Sequence, residues 1–174
     1  DGDNLIPADD VDHPDVIAGQ SSVGQELFDQ VGSLDVLVVC VGGGGLISGC
    51  ALAAHHLSPD CVVIGVEPEA GNDVQLSLQQ GEIVSIPVPD TIADGQQTTA
   101  PGALTFEIMQ RYVDHIVTVT DTEILVAMQH LFGRQRQVVE PSGASALAAL
   151  LAGRIDIASK RVGVTLSGGN IDPA

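Results

Sequence analysis

The 174-residue chain carries 23 acidic residues against 6 basic ones, a formal net charge of −17 at pH 7 that repels phosphate backbones and argues against nucleic acid as a partner. Hydrophobic residues make up 44% and the mean hydropathy is +0.28, which excludes a disordered tail; no apolar run reaches the roughly 18 residues that a membrane span needs. Aromatic residues are only 2%, so the core has to be built from Val, Ile, Leu and Ala, a composition suited to strands buried on both faces under small-residue helices.

Residues 1–20 are polar, are broken by Pro7 and Pro14, and read as loop. "SSVGQELFDQVG" (21–32) predicts a helix capped by Ser21 or Ser22 and closed by Gly32. "DVLVVCV" (35–41) is a continuous β-branched run without alternation, as in a strand buried on both faces. The glycines Gly42 to Gly45 follow, and then "LISGCALAAHHLS" (46–58), a helix of small residues. "DCVVIGVEPE" (60–69) is a second buried strand, so strand, glycine turn, helix and strand make the βαβ crossover of a parallel sheet. Next come a helix around "DVQLSLQQG" (73–81), a loop through "PVPDTIADGQQTTAPG" (87–102) and a helix "ALTFEIMQRYV" (103–113). "DHIVTVT" (114–120) is a third strand, and "DTEILVAMQHLFGRQR" (121–136) a helix whose Asp121 and Glu123 favour its positive end. "PSGASALAALLAG" (141–153) is a helix with Pro141 near its start, and "RVGVTLSGGN" (161–170) is a fourth strand ending in a second glycine turn. The expected architecture is α/β in three layers, a parallel sheet with helices on both faces.

The acids are scattered over loops and helix faces, as on a solvated surface, and Lys160 is the only lysine. A high-salt source accounts for both features; an ordinary acidic protein is the alternative. Cys40 and Cys61 lie in apolar strand-like runs, where cysteine acts as a small buried hydrophobe, and with Cys50 they form no CxxC spacing. That usage implies a reducing, cytoplasmic setting. His13, His55, His56, His115 and His130 show no ligand spacing and read as surface or packing residues. Glu140, before Pro141, reads as a helix-start acid in preference to a general base.

Gly42 to Gly45 stand at the carboxyl end of a strand and the amino end of a helix. Their amides can turn toward one anion because no Cβ obstructs the approach, and the helix dipole favours negative charge there. A tight turn that uses glycine only for packing is the alternative. The dinucleotide spacing G-x-G-x-x-G fails, since its last position falls on Ile47 or Ser48, although Glu67 ends the next strand roughly twenty residues on, where a ribose-binding acid belongs. In "LSGGN" (166–170), Ser167 emerges on the same edge as Gly42 to Gly45 if the sheet is parallel. Otherwise it is a closing turn whose serine bonds its own backbone.

"VGGGGLISG", "GVEPE", "TIADG", "PGALTFEI", "VVEPSGASALAALLAG" and "VTLSGGN", in this order, resemble the pyridoxal-phosphate enzymes of the threonine and serine dehydratase family, which includes serine racemase and hydroxyaspartate ammonia-lyases. "DHPDVIAGQ" (12–20) is similar to the segment that precedes the glycine loop in those enzymes. The resemblance implies the large, cofactor-binding domain of a fold-type II enzyme. It implies that the amides of Gly42, Gly43, Gly44, Gly45 and Leu46 hold the cofactor phosphate, that Ser167 bonds the pyridine nitrogen and that Gly95 lines the cofactor edge. It also implies a divalent cation, Mg²⁺ or Ca²⁺, on Glu67, the carbonyl of Gly71 and Asp73; two surface acids are the alternative.

The family's reaction removes the α-proton and then the β-hydroxyl of a hydroxy amino acid, giving a 2-oxo acid and ammonia. It needs a Schiff-base lysine in a Ser-x-Lys-type motif before the glycine loop, and this sequence contains no such motif. Residues 1–174 are therefore expected to be a single partial domain, inactive alone, prone to self-association or to pairing with a complementing N-terminal half. The rivals are a nucleotide-binding domain that uses Glu67 on a ribose, and a non-catalytic phosphate-binding or assembly module.

Overall fold

In the computed structural model, which describes residues 11–171, the two most apolar runs of the chain become adjacent parallel strands. β1 (Val36–Cys40) pairs with β2 (Val62–Pro68), Val36 opposite Val62 and Cys40 opposite Val66. β3 (His115–Val119) joins the far side of β2, with Ile64 opposite His115 and Pro68 opposite Val119. β4 (Val162–Val164) joins the far side of β1, with Val36 opposite Val162 and Val38 opposite Val164. The order is β3-β2-β1-β4 and every pairing is parallel, as the βαβ reading anticipates.

Every residue of β1 is buried, and the two-residue period of the strand divides its side chains between two cores. Leu37 and Val39 join Ile47, Cys50, Phe28 and Met109 on one face, under α1 (Pro14–Val31), α2 (Gly45–Leu57) and α4 (Ala103–Tyr112). Val36 and Val38 join Ile64, Val66 and Val119 on the other, under α5 (Asp121–His130) and α6 (Pro141–Leu151). Ala144, Ala146, Ala148 and Ala149 of α6 are all fully buried, so this helix lies close on the sheet. α3 (Asp73–Gln80) follows β2 directly, and α5 opens with the Thr120–Glu123 capping box.

The first helix starts earlier than the sequence predicts. α1 begins at Pro14, so residues 14–20 are helix where loop was expected, and neither Ser21 nor Ser22 is the cap. His13 takes that role, its Nδ1 accepting from Asp15 N at 3.2 Å, with Pro14 in the first turn. Ser21 and Ser22 stay helical, their hydroxyls donating to the carbonyls of Ala18 and Gly19 at 2.6 and 2.8 Å. The reason is tertiary: Ile17, Gly24 and Phe28 form a buried stripe against α2, whose Gly49 lies on the backbone of the α1 turn at Ile17–Ser21. Three further differences are local. The fourth strand is only three residues long, the predicted helix over 121–136 gives way to a π turn at Leu131–Gln135, and Cys61 is only half-buried, just ahead of β2. Pro7 and the rest of residues 1–10 lie outside the described residues, as do 172–174.

A Cβ at Gly49 would come within 2.5 Å of Ser21 N and 2.8 Å of Ile17 O, and backbone cannot yield as a flexible side chain does. Gly49→Ala is expected to destabilise the fold by about 1–3 kcal/mol, the usual range for an overpacked core site, read as a lower unfolding midpoint in urea. An unchanged midpoint would show that the two helices are not in this contact.

Candidate functional site

Since the four strands are parallel, their carboxyl ends collect on one edge, where open α/β sheets bind ligands. Thr165 N donates to Val38 O at 3.1 Å and extends the β1–β4 ladder past the last strand residue. Two residues further, Ser167 Oγ lies 3.0 Å from Cys40 Sγ at the end of β1. Ser167 and the glycine run thus occupy one rim, and Gly42, Gly43, Gly44, Gly45, Leu46, Gly95 and Ser167 all line one cavity of about 250 Å³.

The glycines are required where they stand. Gly44 is the residue before α2 and has φ +97°, a left-handed conformation that side chains rarely adopt. A Cβ there would also meet Thr105 Cβ and Met109 Cε at 2.9 Å. A Cβ at Gly42 would lie 2.9 Å from Gly95 O, across the cavity mouth. Thr105 Oγ1 donates to Gly43 O at 2.8 Å and ties that carbonyl back toward α4. Among the described residues no side chain caps α2, and its first turn holds no acid, so its positive end is left for a ligand.

Gly95 sits in a short 3-10 turn, Asp94–Gln96, with its amide donating to Asp94 Oδ1 at 2.9 Å. Beside it is a residue that sequence reasoning missed. Gln96 is buried and its Nε2 donates to Val41 O at 2.8 Å and Val66 O at 2.9 Å, clamping the long loop over the carboxyl ends of β1 and β2. A second missed residue is Ser142, in the first turn of α6, whose buried Oγ lines the cavity without a hydrogen-bond partner among the described residues. A lone glutamine in a loop and a serine near a helix start carry no periodic signal, so only the packing reveals them.

Glu140 does not act as the helix-start acid expected of it. It occupies the position before α6, yet its side chain makes no capping bond to that helix. Its Oε2 accepts from Asn170 N at 3.0 Å, and a Cβ at Gly168 would collide with its Oε1, so the carboxylate braces the serine-glycine turn. The histidines behave as expected: His13 caps α1, His55 packs against Tyr112 with ring centroids 4.8 Å apart and the planes tilted by 46°, and His56, His115 and His130 are exposed.

Glu67 and Asp73 are not surface acids; both are fully buried. Glu67 Oε1 accepts from Val74 N at 3.0 Å and Oε2 from Gln75 N at 2.9 Å, so its carboxylate caps α3 from the end of β2. With both oxygens so engaged and no exposure, it does not face a ribose, and the nucleotide reading loses its acid. Asp73 Oδ2 has no partner among the described residues, and Gly71 is buried beside Pro89. Among the described residues no three or more His, Cys, Asp or Glu side chains gather as a metal cluster. Burial, with the neighbouring Asp73 carboxylate adding to it, pushes Glu67 up to about 8 against the pull of the two amides. Burial likewise pushes Asp73 up to about 6.

A family profile described as "Pyridoxal-phosphate dependent enzyme" matches residues 1–168. The chain belongs to that family. It is 50% identical over 171 residues to the serine racemase of Schizosaccharomyces pombe, covering 98% of this chain and 52% of that one. It is 52% identical over 168 residues to the L-threo-3-hydroxyaspartate ammonia-lyase of Saccharomyces cerevisiae, covering 97% and 51%. The chain therefore spans about half the length of the curated relatives it matches, and corresponds to their C-terminal part. Among solved structures, a threonine deaminase superposes with a TM-score of 0.89 at 44% identity, covering 94% of this chain and 60% of that one. The serine racemase of Dictyostelium discoideum gives 0.86 at 41%, covering 92% and 52%. These neighbours are fold-type II pyridoxal-phosphate enzymes, as the sequence resemblance implies.

The buried acids make a pH prediction for the chelator-treated chain. Glu67 rises from an ordinary 4.5 and Asp73 from 3.8, so the folded chain retains protons that the unfolded chain has released. Their contribution to stability is complete below about pH 4 and is lost as pH rises toward about 8. The unfolding midpoint of wild type is expected to fall relative to that of Glu67→Gln between pH 5 and about 8. A gap between the two midpoints that stays constant over that window would mean that Glu67 titrates normally.

Proposed function

We propose that this chain is the cofactor-binding part of a pyridoxal-phosphate-dependent ammonia-lyase acting on a hydroxy amino acid. What carries the reading is the β1–β4 pairing, which puts a glycine cradle and a hydroxyl on one cavity. The amides of Gly42 to Leu46 hold the phosphate at the positive end of α2, where no described side chain competes for them. Ser167 offers a neutral hydroxyl to the ring nitrogen, and Gly95 leaves room along the ring edge. When bound, the cofactor would supply electron withdrawal at the α-carbon of the amino acid, the chemistry that loss of an α-proton and a β-hydroxyl calls for. A serine partner leaves the nitrogen uncharged and the withdrawal modest, which suits a substrate whose leaving group departs promptly.

The Schiff-base lysine is assigned to a part of the enzyme outside this sequence. Lys160 is exposed and precedes β4, at the opposite end of that strand from Ser167. Among the described residues β4 is an edge strand, and its outer side, beside a groove of about 400 Å³ lined by Val23, Leu27, Leu46, Val164 and Leu166, is the face on which a complementing segment or a second copy would seat. A divalent cation on Glu67, the Gly71 carbonyl and Asp73 is proposed with it. Asp73 Oδ2 is the buried oxygen without a partner among the described residues and would be the first ligand, beside a Glu67 carboxylate whose two oxygens already accept from α3 amides. Millimolar Mg²⁺ or Ca²⁺ is then expected to raise the unfolding midpoint of wild type but not of Asp73→Asn, and an equal rise in both would remove the cation from this place.

The central test is ligand-dependent stability. Pyridoxal phosphate and inorganic phosphate are each expected to raise the unfolding midpoint of wild type. Gly42→Val, which fills the cradle, is expected to weaken both by at least about tenfold, the equivalent of 1.4 kcal/mol. The chain alone is expected to form no 2-oxobutanoate from threonine. Formation of that product would overturn the assignment of the lysine elsewhere, and indifference to both phosphates would overturn the cofactor site.

A further inference from the structure

Ser167 is held by a residue that the functional reading does not use. Its Oγ is 3.0 Å from Cys40 Sγ, and among the described residues that thiol is its one side-chain partner. Cys40 ends β1, is buried, and lines the same cavity. The neighbouring wall holds Ser142, only 5% exposed, whose Oγ lacks a partner among the described residues. A buried hydroxyl left open on the cavity that Cys40 and Ser167 also line points to a polar ligand bound there.

We infer that Cys40 is a positioning residue whose thiol donates to Ser167 Oγ and so commits the hydroxyl's own hydrogen to an acceptor nitrogen of a bound heterocycle. This rests on the cofactor-site reading and adds the residue that orients the Ser167 hydroxyl. The chemistry of the two groups sets the direction. A hydroxyl oxygen is a good acceptor and a thiol sulfur a weak one, while each group has one hydrogen to give. With S–H directed to Oγ and O–H directed to an unprotonated ring nitrogen, every hydrogen meets a good acceptor. A protonated nitrogen would reverse the chain and leave the serine hydrogen on sulfur, in a buried place where that substitution is poorly compensated. Burial pushes the Cys40 thiol well above its usual value, so it keeps its hydrogen at neutral pH. Glu140, on the same cavity, is turned to the Asn170 amide and braces the turn that carries Ser167.

Two measurements on the 174-residue chain test this. In the first, the infrared S–H stretching band lost in Cys40→Ala identifies Cys40, and this band is expected to move to higher frequency in Ser167→Ala. In the second, binding of pyridoxal phosphate and of inorganic phosphate is titrated separately. Cys40→Ala is expected to weaken pyridoxal phosphate by about threefold to tenfold, the scale of one modest hydrogen bond, and to leave phosphate affinity unchanged. It should also shift the absorption maximum of the bound cofactor, and Cys40→Ser should restore both readouts. The double variant Cys40→Ala with Ser167→Ala should bind no more weakly than Ser167→Ala alone, because the two residues act through one hydrogen bond. If alanine costs the fold, Cys40→Val replaces it, retaining strand preference without a donor.

An S–H band that ignores Ser167→Ala overturns the inference by itself, as do additive losses in the double variant or an equal loss of phosphate affinity. A wild-type chain that binds neither probe overturns the cofactor-site reading and the pair's role toward a ligand together, whatever the infrared band shows.

Discussion

β4 lies parallel to β1 with Val36 opposite Val162 and Val38 opposite Val164, and this register sets the geometry of the whole ligand edge. Parallel pairing delivers the chain leaving β4 to the same edge as the chain leaving β1, so a serine and a glycine run far apart in sequence line one cavity. An antiparallel β4 would carry Ser167 to the other end of the sheet. The strand is only three residues long, and the Thr165 N to Val38 O bond, the Cys40 to Ser167 contact and the Glu140 brace on Asn170 continue its alignment past the ladder.

Close backbone approach is the second constraint. Gly49 lets α1 lie on α2, Gly42 lets the cradle face Gly95, and Gly44 supplies the left-handed turn into α2. Each place is one where a Cβ would strike neighbouring atoms, so glycine here serves contact as well as conformational freedom. The small residues of α6 do the same on the opposite face, bringing Ser142 and Glu140 up to the cavity.

The polar groups of the edge divide by how they are satisfied. Gln96 uses both amide hydrogens on strand carbonyls, and Glu67 uses both oxygens on α3 amides, so these residues fasten loops to the sheet. Asp73 Oδ2, Gln96 Oε1, Ser142 Oγ and Thr165 Oγ1 are buried without partners among the described residues, and two of these residues, Gln96 and Ser142, line the cavity where a ligand would complete the hydrogen bonding. Of the chain's acids, Glu140 lines the cavity but is turned to the Asn170 amide, and the first turn of α2 holds none, so the amides there keep their positive potential locally.

The sequence alone determined the strand runs, the parallel α/β class, the glycine turn and the family, because these depend on local patterns: unbroken β-branched runs, consecutive glycines, and motifs in a fixed order. It placed Gly42 to Leu46 and Ser167 correctly on one edge as soon as the strands were taken as parallel. It misjudged the start of α1, since residues 14–20 are helical where they meet Gly49 of another helix, and Glu140, whose partner is thirty residues away. Only the tertiary structure decided that Glu67 is buried, that Gln96 clamps two strands, and that Cys40 holds Ser167. Those facts depend on which distant backbone atoms come within hydrogen-bonding distance, and nothing in the spacing of residues along the chain encodes that.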